Sequence, residues 1–262
     1  MSTQSKRIFK MRTKKAKKSD TALLFVLLTM LGINFSLASD KLITIASSEG
    51  PPHIIDGPSH GIDLDITEAV LNEMGYEVSF TFMSLARAIK EVKAGRVDAV
   101  TPTFNQEDEN RFFVSKPFID YKPMIFTLKE SGKSPKRLAD LSGESIVTFQ
   151  GATGYFGPEF VKLSRSSNYH EIFDMKLIPE MIMRKSVTFA VLDQYIFYYF
   201  YRINDKKRPI DIFNQYALIK PVKAAVVFKN KTLRDKFDKQ LEITLKSNIQ
   251  QEIVKRYLGD YG

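Results

Sequence analysis

The spacing of apolar positions changes along the chain, and each change marks an element. Leu42-Ile43-Thr44-Ile45-Ala46 is a short apolar run that predicts a buried strand. It opens into Ser47-Ser48-Glu49-Gly50-Pro51-Pro52, whose composition demands a loop. Ile66, Ala69, Val70 and Met74 then recur at helical spacing, with Asp63 or Asp65 available as a cap and Gly75 as the stop. Tyr76, Val78, Phe80 and Phe82 alternate with polar residues, as in a half-buried strand. Ser84 can cap a second helix that carries Leu85, Ala88, Ile89 and Val92 and closes at Gly95; Val97–Val100 is a further strand. The order β-α-β-α-β predicts a parallel sheet with helical crossovers.

A second unit follows. The strand Pro123–Leu128 leads into the polar stretch Lys129–Lys136, which reads as a linker. Leu138–Gly143 forms a short helix and turn, Ile146–Phe149 a strand, and Gln150–Gly154 a loop. Phe189–Leu192 is another strand; it ends abruptly at Asp193, and the aromatic block from Tyr195 to Tyr201 begins the next helix. Near Lys220-Pro221 the chain leaves this unit. Ala224–Phe228 is a strand, and two amphipathic helices finish the chain, one with Leu233, Phe237, Leu241 and Leu245, the other with Ile249, Ile253 and Tyr257.

Charge changes the picture in one respect. The formal net charge of +9 over 262 residues suggests a basic protein. Eight of the 39 basic residues and only one of the 30 acidic residues precede residue 39, so the remainder carries about +2. The basicity belongs to a leader, and a nucleic-acid partner is not expected. In that leader a basic stretch through Lys18 is followed by the apolar residues 21–38, with Ser36 and Ala38 forming a small-residue cleavage pattern. It reads as a signal peptide (residues 1–38) of a periplasmic protein, and an uncleaved N-terminal anchor is the alternative. Cysteine is absent, which excludes disulfides and thiolate zinc sites, and the three histidines have no metal-ligand spacing. No metal or cofactor is expected.

Open α/β sheets bind ligands beyond the carboxyl ends of their strands. The polar residues at those ends are Ser47, Ser48 and Glu49; Ser84, with Arg87 one turn on; Thr101, Thr103 and Asn105; Gln150, Gly151 and Thr153; and Asp193 with Tyr195. Their recurrence in both units predicts a cleft between two polar rims. Asp193 has two readings, a ligand anchor at the rim and a simple cap of the following helix.

The segments PPHIIDG, GIDLDITEAVLNEMG, AIKEVKAGRVDAV, SKPF, LADLSGESIVTFQGATG, FAVLD and AAVVFKNKTLRDKFDKQL carry a resemblance through their order and spacing. Over residues 41–262 the chain resembles family 3 of the bacterial extracellular solute-binding proteins, the polar amino-acid-binding components of ABC transporters. The resemblance implies an α/β, two-lobed, type II periplasmic-binding-protein-like fold. Each lobe would be a mixed, mostly parallel sheet flanked by helices, and two hinge crossings would join them: residues 39–127 and 222–262 in lobe 1, 128–221 in lobe 2. It implies a monomer that captures an amino-acid-like ligand in the cleft, closes, and delivers it to a membrane permease.

The family's site residues map onto Asp193, as the grip for an α-ammonium group; Thr153, with Phe149 just before it; and Thr101 and Thr103. Glu49, Gly50 and His53 stand where the family carries a stacking aromatic. The family's carboxylate-binding arginine lacks a clean counterpart: Arg111 lies within TFNQEDENRFFVSKPF, and Arg87 is a substitute. On this reading Asp193→Ala abolishes binding of an amine-bearing ligand and leaves the fold intact. Two other functions fit the same scaffold: a cyclohexadienyl dehydratase-like enzyme, using Glu49 or Asp193 as the positioned acid, and a sensory or scaffold module with a degenerate cleft. No motif singles out catalysis.

Overall fold

The computed structural model describes residues 41–57, 60–104, 112–166, 168–204 and 209–261. Two sheets organise them. In the first, β1 (Lys41–Ser47) pairs in parallel with β2 (Tyr76–Phe82) and β3 (Ala99–Thr103). The late strand β11 (Val222–Phe228) lies antiparallel to β3 and also pairs with β4 (Phe113–Val114) and β5 (Ile119–Tyr121). In the second sheet the order is β10 (Phe213–Tyr216), β6 (Pro123–Leu128), β9 (Phe189–Asp193), β7 (Ser145–Phe149), β8 (Asn168–Ile172), with β9, β7 and β8 parallel. The chain therefore passes between sheets twice, from β5 to β6 and from β10 to β11. The strand Pro123–Leu128, which the sequence reading leaves with the first lobe up to residue 127, pairs within the second sheet.

Helices cover both faces of each sheet, and the strands show it residue by residue. Along β11, Ala224, Val226 and Phe228 join one core cluster while Ala225 and Val227 join another. Along β9, Ala190 and Leu192 face one cluster and Phe189 and Val191 the opposite one. Strands buried on both faces must be apolar throughout, which is why these segments are continuous apolar runs. Against the first sheet lie α1 (Ile62–Glu73), α2 (Leu85–Lys93), α8 (Lys231–Thr244) and α9 (Ile249–Leu258). The second carries α3 (Ala152–Tyr155), α4 (Pro158–Ser166), α5 (Ile178–Met183), α6 (Gln194–Asn204) and α7 (Pro209–Ile212). Among the described residues no helix is long and apolar enough to cross a membrane; the leader, with its expected signal peptide, lies outside them.

Several local expectations change. Neither Asp63 nor Asp65 is the N-cap of α1; that position is Gly61, with no side-chain cap. The first helical N–H groups are satisfied instead by the preceding loop: Ile62 donates to the Pro52 carbonyl (2.9 Å) and Asp63 to the His53 carbonyl (3.0 Å). The third strand starts at Ala99 and not at Val97, and helix α3 begins inside the predicted loop 150–154. The sequence reading did not mark β4, β5, α4, α5, β8, α7 or β10. Strand β8 is a half-exposed edge strand, Asn-Tyr-His-Glu-Ile, with no continuous apolar run to betray it.

Gly61 fixes how the loop carrying His53 meets α1. Its φ is +141°, and a Cβ there would lie 2.4 Å from the His53 carbonyl oxygen. Gly61→Ala is expected to destabilise the protein by more than about 1 kcal/mol in urea unfolding, because the loop must move off the helix end. An unchanged midpoint would show that the loop is not held there.

Candidate ligand-binding cleft

The two sheets face each other across a cleft at the carboxyl ends of β7 and β9, and one buried cluster crosses it. The loop after β1 brings in His53, fully buried. Helix α1 brings in Asp63, also fully buried, from its first turn. The end of β9 in the opposite sheet brings in Asp193. The His53 ring bridges the two carboxylates, with Nδ1 2.8 Å from Asp63 Oδ1 and Nε2 3.3 Å from Asp193 Oδ1. Tyr121 stacks on the imidazole with ring centroids 3.8 Å apart and donates its hydroxyl to Asp63 Oδ2 at 2.8 Å. The Tyr195 ring lies on the same histidine at 6.0 Å.

The electrostatics follow from this packing. Burial alone disfavours the imidazolium, but Asp63 and Asp193 outweigh it through charge and hydrogen bonding and raise the His53 pKa from 6.5 to about 9. Burial, reinforced by Asp63, pushes the Tyr121 hydroxyl well above its ordinary value, so it serves as a donor and not as a phenolate. The cluster thus holds one cation between two carboxylates. The surplus negative charge is met by main-chain donors: Asp193 Oδ1 accepts from Tyr195 N (2.8 Å) and Ile196 N (3.1 Å) at the start of α6, and its Oδ2 accepts from Lys122 N (2.7 Å) between β5 and β6. Asp193 therefore caps α6 and bridges to the other lobe at once. Removing it takes away a cap worth about 0.5–2 kcal/mol as well as any ligand contact, so Asp193→Ala does not leave stability untouched.

Beside the cluster is a cavity of about 170 Å³. Phe104 and Tyr121 contribute from the first lobe, and Phe149, Tyr155, Phe156 and Met175 from the second, with Asp193 at the wall. Phe104 meets Tyr155 edge-on across the cleft at 5.9 Å. Tyr155 is half exposed and stands where the cavity meets solvent.

Of the residues expected in the site, Phe149 and Asp193 line the cavity, and His53 and Tyr195 lie beside it in the buried cluster. The other described ones do not line it. Glu49 is exposed and outside the cavity wall. Arg87 has a 69% exposed side chain and sits 3.8 Å from Glu91 on its own helix. Thr101 points inward, its hydroxyl 3.3 Å from that of Thr67. Thr103 is buried and not part of the wall. Thr153 faces Glu171, which accepts from its backbone N–H at 3.3 Å. Arg111 lies outside the described residues. Sequence reasoning missed Asp63, Tyr121, Phe104, Tyr155, Phe156 and Met175. One signal was available for Asp63: it shares a helix face with the buried Thr67 and Val70, and a carboxylate on a buried face requires a partner. Among the described residues no group of His, Asp and Glu is arranged to hold a metal ion.

Comparison with known proteins gives a consistent picture of the fold. The family model described as bacterial extracellular solute-binding proteins, family 3, matches residues 43–260. No curated protein sequence matches the chain significantly. Among solved structures, an ancestral cationic amino acid solute-binding protein superposes with a TM-score of 0.69 at 13% identity, covering 84% of this chain and 97% of that one. A polar amino acid ABC uptake transporter substrate-binding protein from Streptococcus thermophilus gives 0.63 at 20% identity, covering 85% and 88%. An amino acid ABC transporter substrate-binding protein from Streptococcus pneumoniae, bound to L-arginine, gives 0.59 at 16% identity, covering 84% and 95%. At these identities the likeness establishes the type II two-lobed fold.

The raised pKa makes stability depend on pH. Folded His53 keeps its proton up to about pH 9, whereas the unfolded group releases it near 6.5. Its stabilising contribution is complete below about pH 6.5, fades between 6.5 and 9, and is lost above. Urea unfolding is expected to weaken by on the order of 3 kcal/mol across that window. His53→Gln is expected to flatten the dependence. A wild-type protein equally stable at both ends would contradict the buried cation.

Proposed function

The chain belongs to family 3 of the bacterial extracellular solute-binding proteins, and on that premise we propose that it is exported, captures a small amino-acid-related ligand in the cleft between its lobes, and delivers it to an ABC-type membrane permease. The single observation that carries this reading is the cavity of about 170 Å³ at the strand carboxyl ends, walled by both lobes. The solved neighbours support an amino-acid-related ligand, since they are binding proteins for amino acids. Residues 1–38 act as the cleaved leader for export, and the protein works as a monomer.

The geometry supports closure. The His53–Asp193 bridge and the Phe104–Tyr155 contact join the lobes, while the two strand crossings tether them. A hinge opening separates both contacts and exposes the cavity, and a ligand that touches both walls favours the closed form by its differential affinity. No observation favours the dehydratase-like enzyme. Glu49 is outside the wall, and both Asp193 oxygens already accept hydrogen bonds.

A thermal-shift screen against amino acids, amines, carboxylates and small aromatics checks the binding role. At least one compound is expected to raise the midpoint, since a ligand at 100 times its Kd adds about 2.7 kcal/mol to the folded state. A panel without any shift would overturn the reading.

A further inference from the structure

The His53–Asp193 contact has its two ends fixed to different lobes. His53 is held in the first: its carbonyl accepts from Asp63 N (3.0 Å), its Nδ1 is 2.8 Å from Asp63 Oδ1, and Tyr121 of β5 stacks on its ring at 3.8 Å. Asp193 is held in the second: it ends β9, stands opposite Pro123 of β6 in that sheet, and caps α6. The bond between the two, Nε2 to Oδ1, is 3.3 Å long. Roughly a few tenths of an ångström more ends it as a hydrogen bond. A small rotation of one lobe on the other therefore breaks it and leaves the bond to Asp63 intact.

The proton count of the ring decides whether both bonds can exist at once. A neutral imidazole has one N–H and one lone pair, and only the imidazolium donates from both nitrogens. Both nitrogens of His53 face a carboxylate oxygen. With the ring neutral, one carboxylate meets a lone pair in a buried site where water does little to screen the repulsion. The bond to Asp63 lies within one lobe, so the strain is relieved at Asp193, by opening. The closed form requires the proton, and the open form, with a single carboxylate on the ring, does not. The groups that face the ring are Asp63 from α1, Asp193 from the end of β9, Tyr121 from β5 and Tyr195 from α6. Burial raises both tyrosine hydroxyls above their ordinary value, so they keep their protons where His53, with a pKa of about 9, gives up its own. Lys122 takes part through its main-chain N–H.

We infer that the His53–Asp193 bridge is a proton-operated latch: while the ring is charged it keeps the lobes closed with no ligand in the cleft, and loss of the proton lets them open. The inference rests on the proposed reading of this chain as a binding protein that works by closure, and it adds a regulator of that motion. Closure takes up a proton, and a ligand that prefers the closed form binds more tightly at pH 7 than at pH values where the ring is neutral.

The chain has no cysteine, so two introduced ones are unique labelling sites. The test is single-molecule energy transfer, without ligand, in the protein produced from the full chain with Lys90→Cys on α2 and Lys162→Cys on α4, both exposed and one on each lobe. At pH 7 the population with the label separation of the closed structure is expected to dominate. At pH 9.5, with far-UV circular dichroism showing the fold intact, the ratio of closed to open molecules is expected to fall about tenfold or more. Asp193→Asn keeps a side-chain oxygen to cap α6 and removes the charge, and it is expected to open the lobes at pH 7. His53→Gln is expected to be open to the same extent at both pH values. A wild-type protein that is mainly open at pH 7, or closed to the same extent at both pH values, overturns the latch and leaves the solute-binding role standing. So does either variant if it is as closed as the wild type at pH 7. An empty thermal-shift panel beside a working latch overturns that role and leaves the latch. Should the variants not fold, the wild-type comparison decides; should the wild type lose its fold at pH 9.5, the variants decide at pH 7.

Discussion

One buried ring, His53, bears on nearly everything specific about this cleft. It belongs to the first lobe, and its partners come from both: Asp63 in the helix beside it and Asp193 across the gap. A buried ion pair is weak grounds for stability by itself, because desolvating the charges costs as much as their attraction returns. Here the surroundings tip the balance. Both carboxylates sit in the first turn of a helix or just before it, where the positive dipole end favours negative charge. Tyr121 and Lys122, adjacent on the segment that leaves the first sheet, supply two more hydrogen bonds. The cluster therefore ties the loop after β1, the ends of α1 and α6, and the first hinge crossing to one another.

This arrangement bears on how closure works. In a two-lobed binding protein a ligand shifts the open–closed equilibrium only by the difference in its affinity for the two forms. A protein that carries its own interlobe bridge starts with part of that preference built in. The ligand then needs to contribute less to closure. Most of the charged cluster lies to one side of the cavity; among the described residues the space itself is lined by aromatic and aliphatic side chains, with Asp193 at the wall.

Most of the fold was legible in the sequence because its strands are buried on both faces and its helices on one. Continuous runs such as Phe189–Leu192 and Ala224–Phe228, and the spaced Leu85, Ala88, Ile89 and Val92, leave few other readings. The misses have local causes. Asp63 looked like a cap since helix starts favour acids, but the loop carbonyls of Pro52 and His53 already occupied the orphan N–H groups. Edge strand β8 and the short helices lack the burial that writes a pattern. For the site, the strand ends pointed to Phe149 and Asp193, and both line the cavity. Strand-end position cannot tell whether a side chain turns toward the cleft: the Thr101 hydroxyl turns to Thr67, and neither Thr101 nor Thr103 is part of the cavity wall. The two readings of Asp193, ligand anchor and helix cap, meet a third arrangement in the structure. Asp193 is the cap of α6, and it anchors a cation that the protein itself provides.

The most direct test of this account is the ionisation state of His53 in the ligand-free protein. Selective ¹⁵N labelling of the three histidines, with His53→Gln to assign the signal, resolves both ring nitrogens across a pH titration. The account predicts that Nδ1 and Nε2 of His53 are both protonated at pH 7 and that the ring titrates near pH 9. A neutral ring at pH 7, titrating near 6.5 like a solvated histidine, would contradict it.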